Sequence, residues 1–474
     1  MAEKAGLAER RAERREMMIS GNLLKVIPIV ALPMIVSMLI DALYNLADTY
    51  FVSQLGITAT AAVGVNDSLL HLMRSVAMAF GMGASSPISK LMGAKREDEA
   101  SRVASTAVFS SMIMLSFLAA IAYAFRESFV VFLGATEGAT PYAVEYATFI
   151  LISAPFTAGE VTCSHTLRAE GSTTYSMIGM VSGCVINVIL DPIFINVFGM
   201  GVGGAALATT ISKAISFAIL ISPFLRGKTL IELKFKFFTP KWEIYKEIAK
   251  MGIPTLLRSS VMSLSAVFIN NMARLFGDSA LAAVSVANKC ARLVGSAVLG
   301  FGQGLQPIGG YCWGARKYAR VRKAFWTSTG IGAVVALVLG AAMFIFTPQI
   351  LGLFMDVEKD AETLRIGTLM LRTQCITMFP HVWVMIINGL YQALGRPVEA
   401  TILGLSRQVI FLIPAAFILS KTVGVNGLAC SQAVADILSL IISVTLVIHQ
   451  MKKIKKLRDG DEPLAGYGLA RKME

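Results

Sequence analysis

The sequence predicts an all-α integral membrane protein in which twelve transmembrane helices form two homologous six-helix lobes. The first observation behind this prediction is composition: 55% of the 474 residues are hydrophobic and 15% are charged, with a mean hydropathy of +0.66. Soluble domains carry about 25% charged residues. Most of this chain is therefore expected to face lipid or neighbouring helices rather than water.

The second observation is the spacing of apolar runs, each near the length of about 20 residues that crosses a bilayer. Those in the first half span residues 24–52, 58–87, 99–124, 140–167, 174–198 and 203–225. Those in the second half span residues 245–275, 279–308, 320–346, 363–392, 397–420 and 426–450. The predicted domains are an N-terminal segment (1–22), an N-lobe (23–226), a linker (227–243), a C-lobe (244–450) and a C-terminal tail (451–474).

The third observation is an internal repeat. Residues 33–95 align without a gap onto residues 254–316, and about fifteen of some sixty paired positions are identical. The motif Phe-Gly-x-Gly at 80–83 recurs at 301–304. Many membrane transporters are built from such repeats, with the substrate path between them. The repeat therefore predicts two halves of one fold and favours transport.

Basic residues predict the orientation, because Lys and Arg collect in cytoplasmic loops. They crowd five segments that fall on one side of the predicted bundle, namely the N-terminus, the 2/3 loop, the linker, the 8/9 loop and the C-terminal tail. The alternate loops carry acids such as Glu127, Glu137, Asp356, Glu358 and Asp360. Both termini are therefore expected in the cytoplasm. The net charge of +13 is spread over these juxtamembrane segments, which argues against nucleic acid as a partner.

Several function classes lack sequence support. The six cysteines are scattered singly, without the clusters that zinc sites or disulfide frameworks need. No GxxxxGK[ST] motif is present, so direct use of ATP has no basis. The sequence contains no catalytic dyad that would support an intramembrane enzyme or a receptor. The first 22 residues contain no apolar core of a signal peptide and are expected to form a surface helix or a frayed tail. We expect no cofactor, and an ion gradient as the energy source.

Polar groups inside the apolar runs are the candidate functional residues, because a carboxylate at the bilayer centre costs about 2.5–3.5 kcal/mol. Asp41, Asn45 and Asp48 recur at i, i+4 and i+7 on one face of the first predicted helix. The fifth helix carries Asn187 and Asp191, followed at once by Pro192. A proline in a helix interior removes a backbone hydrogen bond, which predicts a hinge beside the acid.

Five segments then give the chain a resemblance to a known family. They are LPMIVSMLIDALYNLADTYFVSQLG, NVILDPIFI, GQGLQPIGGYCWGA, YQALGRP and LSRQVIFLIP. The chain resembles the multidrug and toxic compound extrusion (MATE) family of the MOP superfamily over residues 22–450. Within that family it looks most like the prokaryotic DinF-type and related bacterial multidrug exporters.

The resemblance implies roles for five residues of the first lobe. Asp48 and Asp191 match the cation-coupling pair of such exporters, and Asn187, Tyr146 and Thr209 match the polar groups around it. The second lobe lacks the membrane acids of the sodium-coupled branch, so coupling through the first lobe is expected. Two close carboxylates in a low-dielectric site do not both stay charged, so they share either H⁺ or Na⁺. No other metal is expected.

Four further residues are candidates for the substrate cavity: Asp41, Asn45, Glu160 and Lys213. Each has a structural alternative. Asn45 could hold the first helix to a neighbour, and Glu160 could lie at the inner edge of the membrane. Lys213 and Asp436 occupy nearly equivalent places in the repeat, which leaves open a salt bridge between them, a gate or a substrate contact.

The predicted function is cation-coupled antiport, with H⁺ favoured over Na⁺, that exports amphipathic and often cationic organic compounds by alternating access between two lobes. The alternative is a flippase for lipids or lipid-linked oligosaccharides from the same superfamily. The expected partners are small organic substrates and the lipid bilayer. The expected state is a functional monomer in the inner (plasma) membrane.

Overall fold

The computed structural model describes residues 12–352 and 361–461. Every regular element in these ranges is a helix. Nine of the described helices are long and apolar enough to cross a membrane, or ten when the bent pair Ala361–Ile376 and Met378–Ala393 counts as one span. The prediction of an all-α membrane protein is confirmed, and the count of twelve spans stays a prediction. The predicted loop acids Asp356, Glu358 and Asp360 lie outside the described residues.

The described residues of the first half of the chain form nine α-helices. They are α1 (12–20), α2 (Leu23–Ser53), α3 (Ile57–Gly93), α4 (Glu97–Ala124), α5 (Arg126–Phe132), α6 (Thr140–Ile152), α7 (Ala154–Ala169), α8 (Thr173–Pro192) and α9 (Gly201–Leu225).

The described residues of the second half also form nine α-helices. They are α10 (Trp242–Arg274), α11 (Asp278–Gly314), α12 (Tyr318–Ile345), α13 (Thr347–Gly352), α14 (Ala361–Ile376), α15 (Met378–Ala393), α16 (Pro397–Leu405), α17 (Leu412–Val423) and α18 (Val425–Lys455).

Four predicted spans are interrupted in the structure, and one of them is the tenth, which bends between α14 and α15. The fourth divides at Ser153 into α6 and α7, where Pro155 occupies the first turn of α7, a position that does not need a backbone N–H. In the fifth span, α8 ends at Pro192 and a π-helical segment, Ile193–Val197, follows it. A second π segment, Ser406–Ile410, separates α16 from α17. Such segments are frequent at functional sites.

The chain folds as two compact units, here called the first and second units. Among the described residues, the first unit contains 12–20 and 36–256, and the second contains 21–35 and 257–461. Two of the three divisions among the described residues therefore fall inside α2 and α10, and the third lies between α1 and α2. The start of α2 belongs to the second unit, and the start of α10 belongs to the first.

The repeated Phe-Gly-x-Gly motif explains how these helix starts pack. A Cβ built on Gly304 of α11 would lie 2.7 Å from Cβ of Ala31 at the start of α2. One on the equivalent Gly83 of α3 would meet the backbone of Ile248 at the start of α10. Real Cβ atoms do not approach this closely, so the two glycines let the backbones come together.

The described ends of the chain cap equivalent helix ends in the two units. In the first unit, the Arg15 guanidinium on α1 donates to the carbonyl oxygens of Met92 (3.3 Å) and Gly93 (2.8 Å) at the end of α3. In the second unit, the Gly460 N–H donates to the Arg316 carbonyl just after α11 at 3.0 Å. Carbonyls at a helix end lack partners inside the helix, and these contacts supply them. The predicted surface helix is thus present over 12–20.

Candidate functional site

A pair of carboxyl groups forms the centre of the candidate site in the first unit. Asp48 on α2 and Asp191 on α8 lie within hydrogen-bonding reach of each other. Asp191 is fully buried. Oδ1 of each has no hydrogen-bond partner in the described part of the chain. Buried acceptors are expensive to leave unsatisfied, so each Oδ1 could accept a proton or a cation.

An amide and a hydroxyl orient this pair. With the Asn187 amide oriented to satisfy its surroundings, Nδ2 donates to Asp191 Oδ2 at 2.9 Å. Its oxygen accepts from the Thr209 backbone N–H at 3.2 Å and from the Thr209 hydroxyl at 3.3 Å. Tyr44 of α2 hydrogen-bonds in turn with the Thr209 side chain. The network thus joins α2, α8 and α9 around one acid.

Tyr146 and Asp67 complete the surroundings of the pair. The ring of Tyr146 on α6 is buried, and its hydroxyl lies within electrostatic range of both Asp48 and Asp191. Asp67 on α3 is exposed and within range of Asp48. The structure therefore brings together all five residues named for cation coupling.

Two members of this cluster were missed by the sequence analysis. Asp67 gave a clear signal, because it is an acid in the middle of the second predicted span. Tyr44 gave a weaker one, being four residues before Asp48 and so on the same helix face.

A second polar cluster in the first unit consists of ion pairs. Nη2 of Arg74 lies 2.7 Å from Oδ1 of Asp41. Nζ of Lys213 lies 2.9 Å from Oε2 of Glu160, whose Oε1 accepts from the Ser216 hydroxyl at 2.9 Å. Glu160 is 6% exposed. Three of the four residues named as cavity candidates are therefore engaged in ion pairs.

Asn45, Lys213 and Asp436 have partners other than those considered from the sequence. Asn45 is exposed and donates to the Asp41 carbonyl of its own helix at 2.5 Å, so this bond is not to a neighbouring helix. Lys213 and Asp436 each have an ion-pair partner in their own unit. The partner of Asp436 is Arg407, at 2.5 Å.

The second unit does not repeat the acid pair. In the repeat, Ile269 takes the place of Asp48, and Ile413, just before Pro414, takes that of Asp191. The unit instead encloses a cavity of about 610 Å³. Basic side chains line it, together with one carboxylate. They are Arg258, Lys289, Arg292, Arg407 and Asp436.

A buried glutamate outside the spans links the α7–α8 loop to the central linker. Glu170 accepts from the backbone N–H groups of Leu230 (3.1 Å) and Ile231 (3.0 Å) and from the Ser172 hydroxyl. Nη1 of Arg14 lies 3.7 Å away. Burial raises the pKa of Glu170 to about 7, although these contacts oppose the rise. The carboxyl is thus poised to exchange a proton near neutral pH.

The next question is whether the described side chains could bind a metal ion. The described residues include no group of three or more His, Cys, Asp or Glu that could hold a metal ion. The six cysteines are unpaired, and five of them are buried, as expected of small packing residues. The acid pair with its hydroxyl neighbours is the arrangement that could take a monovalent cation.

Comparisons with known proteins identify the family of the chain. The MatE family model matches residues 33–193 and 254–418, more than half of the chain. The multidrug export protein MepA of Staphylococcus aureus is 26% identical over 420 residues, covering 88% of this chain and 92% of that protein. Its counterpart in Staphylococcus saprophyticus has the same identity and coverage.

Among solved structures, one described as the outward-facing conformation of a multidrug resistance MATE family transporter of the MOP superfamily matches with a TM-score of 0.88. It is 27% identical and covers 93% of this chain and 98% of its own. The chain therefore belongs to the MatE family and is a multi-pass membrane protein that acts as a secondary transporter in multidrug export, not an enzyme.

Proposed function

We propose that the protein is a proton-coupled antiporter whose coupling site is the Asp48–Asp191 pair. The observation that carries the proposal is that Oδ1 of both acids lacks a hydrogen-bond partner in the described structure, although the two carboxyls are within reach. One bound cation satisfies both oxygens. Its release leaves two like charges close together at low dielectric, which is costly. Binding and release of the cation therefore change the energy of the site.

The donor at Asp191 favours H⁺ over Na⁺. Asn187 already donates to Asp191 Oδ2, so one oxygen of that carboxylate is occupied by an N–H group. A proton needs only the two free oxygens. A hard cation such as Na⁺ takes several oxygen ligands, and the amide donor reduces their number.

Pro192 provides a route from cation binding to movement. It follows Asp191 directly, and the helix changes there from α to π geometry. Protonation changes the hydrogen bonds of Asp191 with Asn187, one turn before the break. We infer that this exchange alters the bend at Pro192 and moves the protein between inward-open and outward-open states, with compound expelled on the way.

The preference for amphipathic, often cationic compounds rests on a different acid. Asp41 and Glu160 are paired with Arg74 and Lys213, so their charges are balanced within the protein. Asp67 is exposed and has no ion-pair partner among residues 12–352 and 361–461. It is the carboxylate of this region that is open to a cationic group.

The test is transport by purified protein in liposomes of phosphatidylcholine. Movement of a fluorescent organic cation such as ethidium is measured under an imposed pH gradient and, separately, under an imposed Na⁺ gradient. We expect the pH gradient to drive transport in the wild type and not in Asp48→Asn. Glu127→Gln, which changes an acid in the first turn of the short helix α5, is the matched control and should transport normally. Equal active transport by Asp48→Asn and wild type would refute the coupling site.

The alternative, a flippase for lipids or lipid-linked oligosaccharides, is favoured by one observation. Four basic side chains line the cavity of the second unit, as a headgroup carrying phosphate would require. The flippase alternative predicts that neither gradient moves the organic cation. It predicts instead that a lipid-linked sugar passes between the leaflets. In both cases we place the protein in the inner (plasma) membrane as a functional monomer, with both termini in the cytoplasm and no nucleic-acid partner.

A further inference from the structure

The cavity of the second unit has an uneven balance of charge. Four of its lining residues are Arg or Lys, and Asp436 is its one carboxylate. Arg407 contacts Asp436 at 2.5 Å, and Gln432 donates to the same oxygen at 3.2 Å. The negative charge is thus compensated locally, and three positive charges remain. A cavity lined by one sign of charge concentrates ions of the other sign.

Two of these basic residues lie deep within α11 and face the cavity. Lys289 and Arg292 are about 17 and 21 Å along a helix that is about 55 Å long at 1.5 Å per residue. Both are exposed and line the cavity, and no acid contacts either of them in the described structure. A charge at such depth is expensive unless it faces a cavity and has a partner. The partner is therefore expected to come from outside the protein.

The backbone is shaped to present the other two basic residues. A Cβ on Gly404 of α16 would lie 2.9 Å from Cδ of Arg258, so the glycine makes room for the arginine stem. Arg407 belongs to the π segment Ser406–Ile410. Within that segment, the Gln408 carbonyl accepts from the Ser265 hydroxyl of α10 at 2.9 Å. These contacts hold α10 and the π segment together beside the cavity.

The first unit lacks this basic set at the matching repeat positions. Ser68 corresponds to Lys289, His71 to Arg292 and Ser37 to Arg258. Conversely, the acid Asp67 of the first unit corresponds to the neutral Asn288 of the second. The two units share a fold but differ in charge at these positions, so the basic residues are not a requirement of the fold.

We propose that the cavity of the second unit binds an amphipathic organic anion. Lys289, Arg292 and Arg258 would receive its carboxylate, sulfonate or phosphate head. The methionines that line the cavity, among them Met343, Met370 and Met378, would contact its apolar body, since Met side chains adapt to varied shapes. A cavity of about 610 Å³ falls in the size range of small-molecule sites.

Binding is tested without any ion gradient, so the result is independent of the coupling proposal. Purified protein in phosphatidylcholine nanodiscs is titrated with fluorescein, an anion, and with a cationic rhodamine ester that has the same ring system. Lys289→Gln and Arg292→Gln are compared with Lys421→Gln. That control removes a lysine of α17 that lies 4.2 Å from the ring centroid of Phe417 and does not line the cavity.

We expect each cavity variant to weaken fluorescein binding about tenfold, the loss of one charge-assisted hydrogen bond. Rhodamine binding and the Lys421→Gln control should stay at wild-type values, which also shows that the variants are folded. Fluorescein binding of equal strength in wild type, Lys289→Gln and Arg292→Gln would overturn the proposal.

A second arm identifies the source of the anion. Phosphatidylglycerol replaces half of the phosphatidylcholine in the nanodiscs. Displacement of fluorescein would assign the cavity to an anionic lipid headgroup, and unchanged binding would assign it to a free organic anion. Both results support anion binding, provided that binding also depends on Lys289 and Arg292.

Discussion

Nζ of Lys213 and Oε2 of Glu160 form an ion pair of 2.9 Å between α9 and α7, with 19% and 7% of the side chains exposed. Removing one partner of a buried pair leaves the other charge uncompensated, which costs about 3–5 kcal/mol. We expect Lys213→Met to lower the free energy of unfolding by about 3 kcal/mol, measured by denaturant titration in detergent.

The matched test is the double variant Lys213→Met with Glu160→Gln. It removes both charges and should recover most of the lost stability. A double variant that is less stable than Lys213→Met alone would show that the two side chains act separately.

Asn187 and Asn45 provide a paired comparison, because both are asparagines on helices of the candidate site. Asn187 donates to Asp191, whereas Asn45 donates to the backbone of its own helix. Hydrogen bonds to charged groups contribute about 1.5–3 kcal/mol, so Asn187→Ala should reduce proton-driven export by about tenfold or more. Asn45→Ala should change it less than twofold. Similar losses in both variants would argue against a specific role for Asn187.

Pro192→Ala is expected to slow turnover more than it weakens binding of compound. Alanine restores a backbone donor and favours a continuous α-helix beyond Asp191. Export rate and equilibrium binding are measured on the same preparation. Pro223→Ala, near the end of α9, is the control and should transport normally. A loss of affinity without a change in maximal rate would exclude the hinge.

Glu170 makes stability depend on pH. Its pKa is raised from 4.5 to about 7 by burial, so the folded protein holds this proton more tightly than the unfolded chain. Its favourable contribution is full below pH 4.5 and is lost as the pH rises towards 7. The free energy of unfolding of the wild type, relative to Glu170→Gln, should therefore fall across this window by up to about 1.4 kcal/mol per pH unit. A flat difference would contradict the assignment.

Gly427, at the start of α18, lies against the backbone of Leu419 in α17. A Cβ built there would overlap the carbonyl oxygen of Leu419, whereas one on Gly330 of α12 meets nothing within 4 Å. Gly427→Ala should destabilise the protein, because a backbone carbonyl must move. Gly330→Ala should be neutral, or stabilising by up to about 1 kcal/mol through helix propensity. Thermal unfolding of both variants decides between steric and propensity effects.

Much of the fold follows from the sequence because bilayer crossing imposes length and polarity on every span. The bounds of α2, α4 and α9 differ from the predicted runs by no more than two residues. The π segments after Pro192 and before Leu412 were not predicted. Proline signals a break, but whether α geometry gives way to π geometry depends on how the neighbouring helices pack.

The candidate site is predictable where one helix face determines it. Asp48, Asn187 and Asp191 were found because a polar group in an apolar run has a cost that must be met. The ion-pair partners of Asp41, Glu160 and Lys213 were not predicted. Salt bridges between helices depend on the rotation of each helix about its axis and on the side-chain rotamers. Repeat symmetry suggested a link between Lys213 and Asp436, but each is paired within its own unit.

The division of α2 and α10 between the two units bears on how such a chain could arise by duplication. If the chain were cut at the linker, the first half would keep the start of α2, which belongs to the second unit. It would lack the start of α10, which belongs to the first unit. Two separate copies could complete each other only by reciprocal exchange of these segments, as in a domain-swapped dimer. Fragments 1–233 and 234–474 should therefore fail to fold when expressed singly and should reconstitute when expressed together.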